Sequence, residues 1–138
     1  MSGMEPPEDI EARIDAINNC EYARRFDMKV TLLTAEEVRL EMPLAGNMNG
    51  FKVGHGGAVF TLADEAFALI GNLGRYPEVA MSASIRYLKP AKGDMVAIAR
   101  KVSEDDRTST YKVEIISNGE LIADFEGVGF KLKGKKNK

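Results

Sequence analysis

One cysteine, one histidine and no tryptophan stand among 138 residues, and no apolar run is long enough to cross a bilayer. A lone Cys20 excludes an internal disulfide framework, and one histidine beside one cysteine excludes a Cys/His-rich structural zinc site. The chain has no excess of positive charge either. With 19 Lys+Arg against 21 Asp+Glu its net charge is -2 and its pI about 5.5, so no overall field favours nucleic acid or an anionic membrane surface. The first eight residues, Met1 to Glu8, lack the basic start and apolar run of a secretory signal. A soluble protein of the reducing cytoplasm is expected. What is present is an ordinary globular composition, 44% hydrophobic and 29% charged. We expect one domain over residues 1–138, with flexible ends at 1–8 and 134–138.

Periodicity divides the chain. Ile10, Ile14 and Ile17 recur at helical spacing with Ala12 and Ala16 between them, which predicts a short amphipathic helix. Residues 37–42, Glu-Val-Arg-Leu-Glu-Met, alternate polar and apolar strictly, and Val30 to Leu33 offers a hairpin partner. A glycine- and asparagine-rich connection, Leu44 to His55, leads into Gly56 to Asn72, which is apolar around almost its whole circumference. Such a helix must be wrapped on most sides. Strand-like runs at 79–88, 95–102, 110–117 and 120–131 supply the wrapping, and Asn118-Gly119 is a strong type I′ hairpin signal. We read these four runs as a meander. The order predicts an α+β domain of the hotdog kind, a curved antiparallel sheet wrapped around a central helix.

Two places in this frame carry chemistry. Asp64 lies within the apolar helix, with Phe60 four residues before it and Phe67 and Ala68 three and four after. Burying an ionised carboxylate there is costly, so Asp64 must be hydrogen-bonded, protonated or facing a cleft. A loop cap or an internal ion pair would satisfy it equally well. Glu65, about 100° further round the helix, is expected to reach solvent more easily. The second place is His55-Gly56-Gly57, where the unpaired N–H groups and positive dipole end of the helix could polarise a carbonyl. The glycines also fit a plain tight turn.

Other glycine-rich readings fail on spacing. A Walker loop wants Gly-Lys-Ser/Thr before its helix, and a dinucleotide fingerprint beginning at Gly54 would need a small residue where Val59 stands. His55 with Asp64, Glu65 and Asn49 would make a metal site with one nitrogen ligand, so no metal is expected. No Gly-x-Ser-x-Gly elbow occurs, although residue counting alone leaves a Ser-His-Asp triad open.

Asn49, then His55-Gly56-Gly57, then Phe60 to Ala68, resembles the signature of hotdog acyl-CoA thioesterases of the phenylacetate-pathway (PaaI-like) type. Ile85 to Ala91 is similar to the strand and turn that follow the helix there, so the resemblance covers about residues 25 to 131. It implies a homodimer, often paired into a tetramer, whose active sites lie between subunits. It implies Asp64 as general base or nucleophile, Gly56 as the N–H that polarises the carbonyl, and Asn49 as a contact to that carbonyl or to the attacking water. His55 would orient the asparagine and assist the departing thiolate. Relatives can hold the water with a Ser or Thr on the strand after the helix, where this chain has Ala80. Ser82 and Ser84, expected on the same face as Ala80, and Thr61 on the helix are the substitutes considered.

Gly57, Thr61, Ser82, Ser84, Phe60 and Lys89 are the expected substrate contacts. Phe51, Phe60, Phe67 and Tyr87 point to an apolar cleft for an aryl or short-to-medium acyl group. Arg86, Lys89, Arg100, Lys131 and Lys133 are candidates for the phosphates of coenzyme A. No cofactor is expected beyond the coenzyme A carried by the substrate, because a thioester already has a good leaving group. Two other functions stay in view. A non-catalytic acyl-CoA binding or sensing module would keep the cleft without turnover, and a hotdog hydratase would lean on a histidine and an acid, though His55-Gly56-Gly57 does not look like that type.

Overall fold

The computed structural model describes Pro7 and residues 9–134. The flexible ends expected from the sequence lie outside the described residues apart from Pro7 and Gly134. In order come helix α1 (Ile10–Asn18), a 3-10 turn (Ala23–Arg25), strands β1 (Lys29–Leu33) and β2 (Val38–Met42), and helix α2 (Gly56–Ile70). Four longer strands follow: β3 (Glu78–Tyr87), β4 (Met95–Glu104), β5 (Thr108–Ser117) and β6 (Glu120–Lys131). All six strands form one antiparallel sheet that α2 packs against, the hotdog arrangement. Among the described residues no helix is long and apolar enough to cross a membrane.

Alternation builds the inner face. Val38, Leu40 and Met42 of β2, Met95, Ala97 and Ala99 of β4, Tyr111, Val113 and Ile115 of β5, and Ala123 and Phe125 of β6 are all buried. They meet Leu62, Ala63, Ala66, Phe67, Leu69 and Ile70 of α2. Phe67 sits at the centre, with ring centroids 5.6 Å from Tyr111 and 5.7 Å from Phe125. Its ring lies so close to β6 that a Cβ on Gly127 would come within 2.9 Å of it, so the strand can pass under the helix here only as glycine. The β5–β6 hairpin turns at Asn118 and Gly119, with φ of 52° and 75°, as the Asn-Gly pair predicted.

The strand order corrects one expectation. It runs β1-β2-β4-β5-β6-β3, so only β4, β5 and β6 form a meander, and β3 pairs with β6 at the far edge. The reason is the crossover: α2 lies across the sheet and carries the chain from β2 past the positions of three strands that come later in the sequence. Period-2 patterning marks strands but not their neighbours.

β3 also carries a bulge at Met81, because Ala80 opposes Gly129 while Ser82 opposes Val128. The extra residue reverses the alternation. Ala80 before the bulge, and Ala83, Ile85 and Tyr87 after it, share the side of the buried β6 residues and face α2. Ser82 and Ser84 therefore point to the outer face with Arg86, contrary to their expected place beside Ala80.

The N-terminal helix differs in detail as well. Ile14 and Ile17 pack against the core, but Ile10 is exposed, and the one fully buried residue of α1 is Arg13. Its guanidinium donates to the carbonyls of Asn72 and Gly74, both at 3.1 Å, just beyond the C-terminus of α2. A charged helix residue thus ties α1 to the segment that follows the buried helix.

Replacing Gly127 by alanine drives the new methyl into the Phe67 ring. We expect a loss of ~1–3 kcal/mol, seen as a lower urea midpoint at unchanged m-value.

Candidate active site

The loop before α2 is held mostly by its own backbone and amides. Asn47 is buried, donates from Nδ2 to the Pro43 carbonyl at 2.9 Å, and accepts the His55 N–H on its own carbonyl at 2.9 Å. Asn49 Oδ1 accepts from the Phe51 and Val53 N–H groups at 2.8 and 3.3 Å, closing a turn in which Lys52 takes a left-handed φ of 65°. The Asn49 amide nitrogen has no partner among the described residues and is left to donate. Gly54 then donates to the Ala91 carbonyl at 2.8 Å, and a Cβ at Gly54 would stand 2.9 Å from that of Ala91. Glycine at 54 is what lets the loop lie against the turn after β3.

His55 is the N-cap of α2, and its Nδ1 accepts the Gly57 N–H at 2.9 Å. In the neutral ring the proton therefore sits on Nε2. Sequence reasoning expected His55 to orient Asn49. Here its ring caps the helix and its backbone bonds Asn47. The Gly56 N–H, the first of the helix, has no hydrogen-bond partner among the described residues, while the Gly56 carbonyl accepts from the Tyr87 hydroxyl at 3.0 Å. Tyr87 thereby ties the helix start to β3. Gly56, Asn49, Tyr87 and Lys89 line one cleft of about 320 Å³, so the helix start and the asparagine border the same space. His55 and Gly57 line a second cleft of about 320 Å³ with Tyr22, Phe26 and Met48.

Asp64 and Glu65 are both half-buried on α2. Burial pushes the Asp64 carboxyl above its ordinary range. Glu65 is pushed further, to about 7, first by burial and then by the charge of Asp64. Its Oε2 is buried with no hydrogen-bond partner among the described residues. Glu65 is thus the more confined of the two acids, the reverse of the sequence expectation, because the helix face it shares with Thr61 and Asn72 is covered. Thr61 meets the Tyr22 hydroxyl at 3.4 Å, and Asn72 is held by Arg13. Burial raises both carboxyls and the charge of Asp64 adds to the rise at Glu65, so the two titrate as a coupled pair. Asp64 lies eight residues after Gly56, so at 1.5 Å of rise per residue the two are ~12 Å apart along the helix. One chain does not bring the acid to the helix N-terminus.

The family model for the thioesterase superfamily matches residues 51–123, more than half of the chain. Among curated proteins, a putative esterase from Archaeoglobus fulgidus is 37% identical over 62% of this chain and 58% of its own length. The acyl-coenzyme A thioesterase PaaI of Escherichia coli is 33% identical over 63% of this chain and 64% of its own. The chain spans less than two thirds of either. A solved structure of a mutant of the phenylacetic acid degradation protein PaaI from Thermus thermophilus superposes with a TM-score of 0.76 at 35% identity, covering 80% of this chain and 98% of that one. The chain belongs to the thioesterase superfamily.

The remaining expected contacts of this superfamily member fall in different places. Phe60 packs edge-on against Phe125, with ring centroids 5.6 Å apart, and Phe67 is core, so neither supplies a cleft; Phe51 is 88% exposed. Thr61 is buried against Tyr22, and Ser82 and Ser84 face away from α2. No hydroxyl thus stands at the Ala80 position. The cations considered for phosphate contact are each ion-paired: Arg86 with Asp124, Lys89 with Glu120, Arg100 with Glu37, Lys131 with Glu104 and Lys133 with Asp106. Only Lys89 lines a cleft beside the helix start. Tyr22, Phe26 and Met48 are the residues that the sequence reading did not single out. No local pattern marks them, because they reach the site only through the packing of the segment before β1 and of the loop.

A carboxyl raised on folding binds its proton more tightly in the native state, so its contribution is fully present below the unfolded value and is lost as pH rises. For Glu65 the window runs from its ordinary 4.5 to about 7. Over it, wild-type stability should fall by ~1–2 kcal/mol, a figure discounted for solvent reaching the carboxyl. Glu65→Gln should flatten that slope in urea titrations taken at several pH values; an unchanged slope would contradict the assignment.

Proposed function

We propose that this protein hydrolyses acyl-CoA thioesters to the free acid and coenzyme A, at a site completed by a second copy of the chain. The observation that carries the reading is the free Gly56 N–H beside Asn49 in one cleft, with the half-buried Asp64 ~12 Å along the same helix. Two copies arranged antiparallel would set Asp64 of one against Gly56 of the other. An unpaired edge supports such a pairing: β3 is exposed along nearly its whole length and presents Val79, Met81 and Tyr87. A homodimer, or a pair of such dimers, is the assembly proposed.

In that site the Gly56 N–H and the Asn49 amide donate to the thioester carbonyl and stabilise the oxyanion as it forms; one such donor is typically worth ~10²–10³ in rate. Asp64 of the second copy, acting as base, takes a proton from water as the new C–O bond forms. The C–S bond then breaks, the electron pair leaves on sulfur, and the thiolate is protonated. Acting instead as nucleophile, Asp64 would form an anhydride that water cleaves, with the same products. We assign either role to Asp64 and not to Glu65, whose Oε2 is buried. His55 sets the helix start through Gly57, and its Nε2–H is left to donate. The chemistry draws on no metal and on no cofactor beyond the coenzyme A of the substrate.

Free-thiol release from a panel of acyl-CoAs tests the reading. Asp64→Asn should cut kcat/KM on the order of 10²–10⁴ with circular dichroism and assembly unchanged. His55→Ala should cost less, about tenfold. Saturable binding without turnover in the wild type would replace the reading with a non-catalytic acyl-CoA module.

A further inference from the structure

A thioester carbonyl carbon carries two arms that leave it in different directions. At the start of α2, consecutive residues open on two different clefts, Gly56 on the one with Asn49 and Gly57 on the other. Their Cα atoms are ~3.8 Å apart, so a carbonyl held at Gly56 stands at the mouth of both. The two clefts differ in chemistry. The Asn49 cleft has Lys89 at its edge together with the neutral walls of Leu88, Pro90 and Ile122, which suits a long neutral arm ending in phosphates.

No acidic or basic side chain lines the second cleft apart from His55. Of its polar Asn47, the Nδ2 donates to the Pro43 carbonyl and the backbone carbonyl accepts the His55 N–H. What remains are the faces of Tyr22, Phe26 and Met48. Tyr22 has neighbours on several sides: its ring stands 5.2 Å from that of Phe26, Arg25 lies 5.6 Å over it, and its hydroxyl lies 3.4 Å from that of Thr61. Yet it remains 55% exposed, as Met48 remains 46% exposed. A held, half-open aromatic beside a thioether makes an adaptable apolar wall. All three residues also lie outside residues 51–123, the part the family model matches.

We infer that Tyr22, with Phe26 and Met48, determines acyl specificity, receiving bulky apolar acyl groups while the coenzyme A arm lies in the Asn49 cleft. The inference rests on the thioesterase reading and adds which groups that site selects. Acetyl is too short to reach Tyr22, whereas a ring or a medium chain would cover it.

The test measures kcat and KM for acetyl-, benzoyl- and octanoyl-CoA. Tyr22→Ala should lower kcat/KM for the bulky substrates about tenfold or more, mostly through KM, and leave acetyl-CoA unchanged. Tyr22→Phe should retain selectivity, since the ring and not the hydroxyl is the wall. Met48→Trp, which fills the cleft, should exclude the bulky substrates and spare acetyl-CoA. The ratio of benzoyl to octanoyl turnover tells ring from chain. Equal losses on all three substrates, or bulky substrates indifferent to both Tyr22→Ala and Met48→Trp, would overturn the inference. So would wild-type turnover of acetyl-CoA alone, with the thioesterase reading intact. No turnover of any thioester would remove that reading and this inference together.

Discussion

The structure turns on the length of α2 between its two chemical ends. A free N–H at Gly56 and a confined carboxylate at Asp64 are fixed by one rigid helix at a separation no side chain spans. The helix cannot flex to bring them together, because it is packed along its length against the sheet. Whatever uses both groups must therefore use two helices. This constraint gives the unpaired β3 edge a purpose and makes the proposed assembly part of the chemistry.

The same packing tunes the acids. A helix buried on most sides leaves no good position for a carboxylate, and two adjacent ones cannot both ionise cheaply there. The face with Thr61 and Asn72 is covered by the N-terminal segment, and burial there helps push Glu65 up to about 7. One residue of rotation separates the proposed base from an acid whose Oε2 is buried.

Much of this was legible in the chain. The apolar text from Gly56 onward, the strict alternation of residues 37–42 and the Asn118-Gly119 turn each state a local geometry that the fold adopts. Asn49 and Gly56 were legible as a pair only through family resemblance. The rest depended on long-range facts: β3 beside β6 is set by the crossover of α2, and a single extra residue at Met81 sends Ser82 and Ser84 outward. Arg13 reads as the polar face of a helix, and nothing local says that two carbonyls sixty residues away need its guanidinium. Tyr22 and Phe26 look like any aromatics of a loop until the fold sets them beside His55.

The central claim, that one site draws on two copies, is tested most directly by mixing two crippled variants. Asn49→Ala and Asp64→Asn chains, each inactive alone, would be unfolded together, refolded and assayed for thiol release. In a two-fold dimer a mixed pair contains one site with both residues intact, so random mixing should restore about a quarter of wild-type activity. If each chain housed a complete site, every site would keep one defect and the mixture would stay inactive, contradicting the account.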